Sequence, residues 1–176
     1  PGGSAPLSGI VVVELRASLA APYAAQTLGD LGAEVWKIEK AEGDDARRWG
    51  PPFWEGASAL FQGLNRNKRS VVCDLRDPAH VAALTRFVVE RADVVLQNLR
   101  PGQVGALGLG AQALRSLKPS LVYCNVGAFG ATGPLKDRPG YDPLMQAFGG
   151  IMSFTGEEDR PPVRVGPSII DMGTGL

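Results

Sequence analysis

Short runs of branched apolar residues alternate along the chain with segments of helical periodicity, and that alternation restricts the fold more than any other feature. Gly9-Ile10-Val11-Val12-Val13-Glu14 is a continuous apolar run, as expected for a strand covered on both faces. Pro22 suits the first residue of a helix that runs to Leu31, where Gly32 ends it. The pattern then predicts strands over 33–39 and 70–75 and a helix from Asp77-Pro78 to Arg91. A strand over 93–97, a short helix over 111–117 and a strand over 121–126 follow. Strands alternating with helices in this way imply βαβ units, right-handed crossovers and a mainly parallel sheet. With 176 residues the chain can bury one substantial core.

Ligands of such sheets gather at the carboxyl ends of the strands, so the segments after the strands carry the functional expectations. These are 15–21, 40–50, 74–77, 98–102 and the long glycine- and proline-rich loop 127–141. Basic residues collect there: Lys40, Arg66, Lys68, Arg69, Arg76, Arg100, Lys136 and Arg138. They suit a ligand bearing separate phosphates, though on the residues alone a set of surface cations paired with acids is the preferred reading. Near the end, Val165-Gly166-Pro167-Ser168-Ile169-Ile170-Asp171 places a lone carboxylate after an apolar run and at the start of a helix. Asp171 reads as a nucleophile, a helix cap or a structural anchor, and spacing alone does not choose. Asp142, after Tyr141, likewise reads as a cap at the start of a small-residue helix reaching Gly150.

Other classes of function are disfavoured. Lysine plus arginine balances aspartate plus glutamate at 18 each, which gives no reason to propose a nucleic-acid or membrane-surface partner. No apolar run approaches the ~20 residues of a membrane span. Cys73 and Cys124, each predicted in a buried strand, read as reduced core thiols, not as a disulfide or metal site. His80, the single histidine, reads as solvated or capping, so a Ser/His/Asp or Cys/His triad is hard to build. Neither a P-loop nor a glycine-rich dinucleotide fingerprint is present. No metal and no tightly bound cofactor are expected, and the absence of a charged-then-apolar leader points to the cytoplasm. Pro1-Gly2-Gly3-Ser4 reads as an expression scar, residues 1–6 together as a lead-in, and the end at Leu176 as a truncation.

The order of motifs is more specific than any one of them. Leu7-Ser8-Gly9-Ile10-Val11-Val12-Val13-Glu14 leads to Ala20-Ala21-Pro22 and then to Leu28-Gly29-Asp30-Leu31-Gly32-Ala33-Glu34-Val35. Asn67-Lys68-Arg69-Ser70, Asn98-Leu99-Arg100-Pro101-Gly102, Gly140-Tyr141-Asp142, Gln146-Ala147 and Gly166 to Asp171 follow in series. Over residues 7–176 this resembles the class III CoA-transferases, the family of the formyl-CoA and carnitine CoA-transferases and the α-methylacyl-CoA racemases.

The resemblance implies a Rossmann-like, mainly parallel sheet flanked by helices. The chain would be the amino-terminal part of a large CoA-binding domain, without the small domain or the carboxyl-terminal return segment. It implies an interlocked homodimer whose substrates are acyl-CoA and a carboxylic acid, with coenzyme A a substrate and not a resident cofactor. Asp171 falls on the catalytic aspartate, which attacks the thioester to give an anhydride and then an aspartyl-CoA thioester. The family's CoA contacts fall on Leu19, Ala20, Lys40, Cys73, Asp74, Leu75, Arg76, Asn98, Leu99, Arg100, Tyr141 and Asp142. Lys40, Arg76 and Arg100 then become the expected phosphate ligands, and Lys68 and Arg69 structural residues. Leu19, Ala17 and Ala106 depart from polar or basic residues found in some members, against formyl or oxalyl specificity. The racemase branch carries a His where Tyr141 stands, and a phenol of reference pKa ~10 is a poor proton shuttle. A transferase is therefore expected over a racemase. By itself the chain is expected to bind CoA weakly and transfer nothing, its alternative role being a CoA-binding or dimerising module.

Overall fold

The computed structural model describes residues 5–15 and 18–176. Ala17 and the Pro1–Ser4 lead-in lie outside the described residues. In chain order the elements are β1 (Val11–Leu15), α1 (Ala20–Asp30), β2 (Glu34–Glu39), a 3-10 turn (Asp45–Arg48), β3 (Phe53–Trp54) and β4 (Ala57–Ser58). Then come α2 (Ala59–Asn65), β5 (Lys68–Val72), α3 (Pro78–Arg91), β6 (Val94–Gln97), α4 (Gln103–Ala106) and α5 (Ala111–Leu117). The series closes with β7 (Val122–Asn125), α6 (Asp142–Phe148), a 3-10 turn (Ile151–Ser153) and α7 (Ile169–Gly175).

Five strands form one sheet in the order β5-β2-β1-β6-β7, and every pair in it is parallel. Chain order runs outward from β1 in one direction through β2 and β5, and in the other through β6 and β7. The order therefore reverses between β1 and β6. A crevice opens at the carboxyl ends of two strands whose connections leave to opposite sides, and ligands bind at such points.

Both faces of the sheet are covered, as the unbroken apolar run of β1 requires. Val13 and Leu15 face Leu84 and Val88 of α3 and Leu114 of α5. Val12, one residue out of phase, packs with Ala25 of α1, Val35 and Leu96. Cys124 corrects an expectation, because it is exposed. Its strand is at the sheet edge, and Val122 and Cys124 point to the face that α1 covers over β1, β2 and β6 but not over β7.

The predicted starts of two elements shift for physical reasons. α1 begins at Ala20 and Pro22 is its third residue, where a missing N–H costs nothing because the first turn has no intrahelical acceptor. β5 begins at Lys68, two residues before the apolar stretch, because buried partners receive the lysine. α3 follows its cap as read: the Asp77 carboxylate accepts from Ala79 N at 2.8 Å and Pro78 opens the helix. Among the described residues no helix is long and apolar enough to cross a membrane.

α7 docks against α1 at its last residue. A methyl at Gly175 would lie 2.8 Å from the Ala20 carbonyl oxygen and 2.9 Å from the Tyr23 ring. Gly175→Ala is therefore expected to cost about 1–3 kcal/mol, read as a lower midpoint in urea at unchanged slope.

Candidate active site

The crevice at the strand-order reversal is a cavity of about 760 Å³. Its walls come from the segments that follow the strands. Ser18 and Ala20 follow β1, Asp45 and Trp49 follow β2, Asn98 to Gly102 follow β6, and Gly127 to Ala131 follow β7. Tyr141, Ile170, Asp171 and Thr174 close the side formed by α6 and α7.

Asp171 occupies the first turn of α7. Its carboxylate is pushed up to about 6, first by burial and then by the charge of Asp142. Among the described residues no donor makes a hydrogen bond to that carboxylate, so it caps nothing. The capping role belongs to Asp142, whose Oδ2 accepts from Ile170 N at 2.8 Å and from Asp171 N at 3.1 Å. Asp142 therefore caps α7 and not its own helix, a cross-helix arrangement that linear spacing does not reveal. Its side chain is 2 % exposed and does not line the cavity. The Asp142 carboxylate thus stands behind Asp171 as seen from the cavity.

The remaining sequence-predicted residues separate into two groups. Ala20, Asn98, Leu99, Arg100 and Tyr141 line the cavity together with Asp171. Leu99 is set by its own N–H, which donates to Gln97 Oε1 at 2.8 Å. Leu19 is buried at the N-cap of α1, between Ser18 and Ala20, which do line the cavity. Lys40, Cys73, Asp74, Leu75 and Arg76 do not line it. Lys40 pairs with Asp45 at 2.8 Å. Cys73 to Arg76 follow β5, an edge strand two places removed from β1. Leu75 packs on the core, and burial pushes the Cys73 thiol up. Hydrogen bonds from Arg76 hold the Asp74 carboxyl down at about 2, and Arg76 itself is open to solvent. His80 ties this turn, its Nδ1 accepting from Asp74 N at 3.2 Å.

Sequence reasoning missed Gln97 and Asn125 at the cavity, and flagged the segments 15–21 and 40–50 without singling out Ser18, Asp45 and Trp49 in them. Gln97 and Asn125 carried a usable signal, since each is a polar residue ending an apolar strand at the carboxyl edge. Ser18 carried none, yet its φ of 96° puts a non-glycine residue in the left-handed region beside the cavity. Asp45 and Trp49 are brought in by Glu39, which pins the following loop. Its carboxylate accepts from Asp44 N at 2.7 Å and from Arg47 Nε at 2.9 Å.

A buried ion cluster links β1, β2 and β5. Lys37 Nζ lies 2.6 Å from Glu14 Oε1 and 2.9 Å from Asp44 Oδ2, and Lys68 Nζ lies 2.7 Å from Glu14 Oε2. Lys68 also donates to the Pro22 carbonyl at 2.7 Å, tying the first turn of α1 to the sheet beside the cavity. Burial outweighs the pull of Glu14 and lowers Lys68 to about 8. The structural role expected of Lys68 is thus assigned to a definite set of partners. Arg69 lies 3.4 Å from Glu34 at the surface.

Residues 7–176 match the model of CoA-transferase family III, and the chain belongs to that family. Over its whole length it is 45% identical to a succinate–glutarate CoA-transferase of Agrobacterium fabrum, covering 46% of that protein. It is 41% identical to the human succinyl-CoA:glutarate CoA-transferase, across 97% of this chain and 39% of that one. A crystal structure of a CAIB/BAIF family protein from Brucella suis superposes with a TM-score of 0.92 at 46% identity, over 98% of this chain and 47% of that one. The chain spans less than half the length of these relatives.

The raised Asp171 has a consequence for stability. Its folded value of about 6 lies above the ordinary 3.8, so folding opposes its ionisation. The cost is absent below about pH 4, grows through the interval up to 6, and is complete above it. Asp171→Asn removes the charge and is expected to stabilise the fold by about 1–2 kcal/mol at pH 8, after solvent screening of a half-exposed group. Melting curves should show a gain of a few degrees at pH 8 and almost none at pH 4.

Proposed function

We propose that the protein carrying this chain transfers CoA from an acyl-CoA to a carboxylic acid, with Asp171 as nucleophile. One observation carries the proposal above the others: a half-buried carboxylate, with no hydrogen-bond donor among the described residues, stands at the wall of a cavity where the strand order reverses. A carboxylate so placed is poorly solvated and therefore reactive, and among the described residues no hydrogen bond has to be broken before it attacks.

The steps balance without an external acid or base. An Asp171 oxygen attacks the thioester carbonyl, the C–S bond breaks, and CoA thiolate leaves a mixed anhydride. The thiolate attacks the aspartyl carbonyl, releasing the donor acid as its carboxylate and leaving an aspartyl-CoA thioester. A second carboxylate attacks that thioester, forming a new anhydride and freeing the thiolate again. Attack of the thiolate on the new acyl carbonyl yields the product thioester and restores Asp171. One thioester is exchanged for another, so the overall reaction is nearly energy-neutral.

The acyl groups are proposed to be those of dicarboxylic acids. Relatives are named for succinate, glutarate, oxalate and malate, which have two carboxylates, and one of them also for the monocarboxylic acetyl group as donor. Arg100, Lys136 and Arg138 at the cavity supply cations for anionic groups of CoA and of the second carboxylate. Lys40 and Arg76, away from the cavity, are proposed to meet CoA only at its nucleotide end.

The test is a product assay on the complete gene product, with succinyl-CoA as donor and glutarate or butyrate as acceptor. Formation of glutaryl-CoA well above butyryl-CoA is expected. Equal rates would overturn the dicarboxylate assignment, and no transfer to any acid would overturn the transferase reading.

A further inference from the structure

We propose that Asp142 and Gln146 are the positioning residues of the nucleophile: together they hold the Asp171 backbone at the cavity wall and keep a fixed like charge behind its carboxylate. The proposal rests on the reading of Asp171 as nucleophile.

The geometry forms a closed chain of hydrogen bonds between α6 and the start of α7. Asp142 and Gln146 lie one turn apart on α6, and their side chains are 2 % and 0 % exposed. Gln146 Nε2 donates to Asp142 Oδ1, and Asp142 Oδ2 receives the N–H groups of Ile170 and Asp171. On its other side Gln146 Oε1 accepts from Val165 N at 2.8 Å. Two residues of one helix thus fix both the approach to α7 and its first turn.

The amide can take only one orientation. Val165 N–H demands an oxygen from Gln146, and the Asp142 carboxylate demands its NH₂ group. Both Asp142 oxygens only accept, which is the pattern of the ionised carboxylate. Ser168, at the N-cap of α7, contributes no side-chain hydrogen bond, so the cap rests on Asp142.

An anchor of this kind matters because nucleophilic attack needs the reacting atoms about 3–3.5 Å apart, and a misplacement of about 1 Å costs ~100-fold. The charge matters separately. Asp142 is the titratable group facing Asp171 from α6, and Tyr23 is the one on the α1 side near α7. Across the cavity stand Asp45, Arg100, Lys136, Asp137 and Arg138, with the Tyr141 phenol. Of all these, only Asp142 contributes to the raised Asp171.

The logic of the pair supplies its own test. Asp142→Asn alone sets an NH₂ group against the Gln146 NH₂ group, and Gln146→Glu alone sets two carboxylates together. The double variant Asp142→Asn/Gln146→Glu restores the short hydrogen bonds and gives up only the two 3.4 Å contacts from Gln146 Nε2 to the Val165 and Pro167 carbonyls: the new amide oxygen faces α7, its NH₂ group faces the new carboxylate, and that carboxylate still accepts from Val165 N. The negative charge has then moved one side chain away from Asp171.

Transfer kinetics of the complete gene product against pH read all three. Each single variant is expected to lose about 100-fold in kcat with little change in the KM for acyl-CoA. The double variant is expected to regain most of the loss, and the acid limb of its kcat/KM profile to move to lower pH. Wild-type kcat in the single variants would overturn the positioning role, and an unmoved acid limb in a working double variant would overturn the role of the charge. If a single variant does not fold, the double variant still decides: failure to restore a folded, active enzyme would contradict the hydrogen-bond scheme. Asp171→Ala separates the two readings. An inactive Asp171→Ala beside fully active pair variants would sink this proposal alone, whereas an active Asp171→Ala would sink the nucleophile assignment as well.

Discussion

Asp171→Ala is expected to lower kcat for CoA transfer by about 10⁴-fold or more, the scale seen when a covalent nucleophile is removed. Two nearby carboxylates are already engaged. Asp142 is buried behind the helix start and committed to two backbone N–H groups and the Gln146 amide. Asp45 is engaged by Lys40 and Arg48. CoA binding should survive, since the cations that line the cavity belong to other segments and alanine fills less space than the carboxylate. Initial rates paired with a calorimetric titration of CoA check both halves. Retained transfer would remove Asp171 from the reaction, and lost binding would make it a scaffold residue.

Glu14→Ala is expected to have the largest effect on stability, about 3–5 kcal/mol. Glu14 neutralises both Lys37 and Lys68, and all three side chains are 2 % exposed or less. Removing it leaves Asp44 to balance two buried ammonium groups. At about 2–4 °C per kcal/mol for a domain of this size, the melting temperature should fall by roughly 10 °C. Glu14→Leu combined with Lys68→Met leaves the Lys37–Asp44 pair intact and should recover most of that loss. A double variant no better than Glu14→Ala would show that the tie from Lys68 to the Pro22 carbonyl, and not charge balance, carries the stability.

The elements legible in the sequence were those whose signals are local. The Val11–Leu15 run showed its buried strand, Asp77-Pro78 the start of α3, and the 111–117 pattern a helix with those same bounds. The alternation of such elements gave the parallel sheet, and family likeness pointed to Asp171. What escaped depends on groups that meet only after folding. Lys37 looks like a surface residue, and the partners of Lys68 are hidden, until Glu14 of β1 is brought beside both. β3 and β4 have two residues each, too few for any periodicity. Asp142 was read as a cap at the start of its own helix, but the N–H groups that it caps belong to α7, 28 and 29 positions further on. The cations separate for a similar reason. Being at strand ends sets Arg100, Lys40 and Arg76 on one edge of the sheet, but only the residues next to the order reversal reach the cavity.

Trapping the covalent intermediate tests the central claim most directly. The complete gene product would be incubated with succinyl-CoA, quenched with hydroxylamine, digested and examined by peptide mass spectrometry. Hydroxylamine converts an aspartyl thioester or anhydride to the hydroxamate and releases CoA or the acid. A hydroxamate on the peptide containing Asp171, dependent on succinyl-CoA and absent from Asp171→Ala, is the predicted result. A hydroxamate on another residue, or turnover with no trapped adduct, would contradict the assignment of Asp171 as the nucleophile.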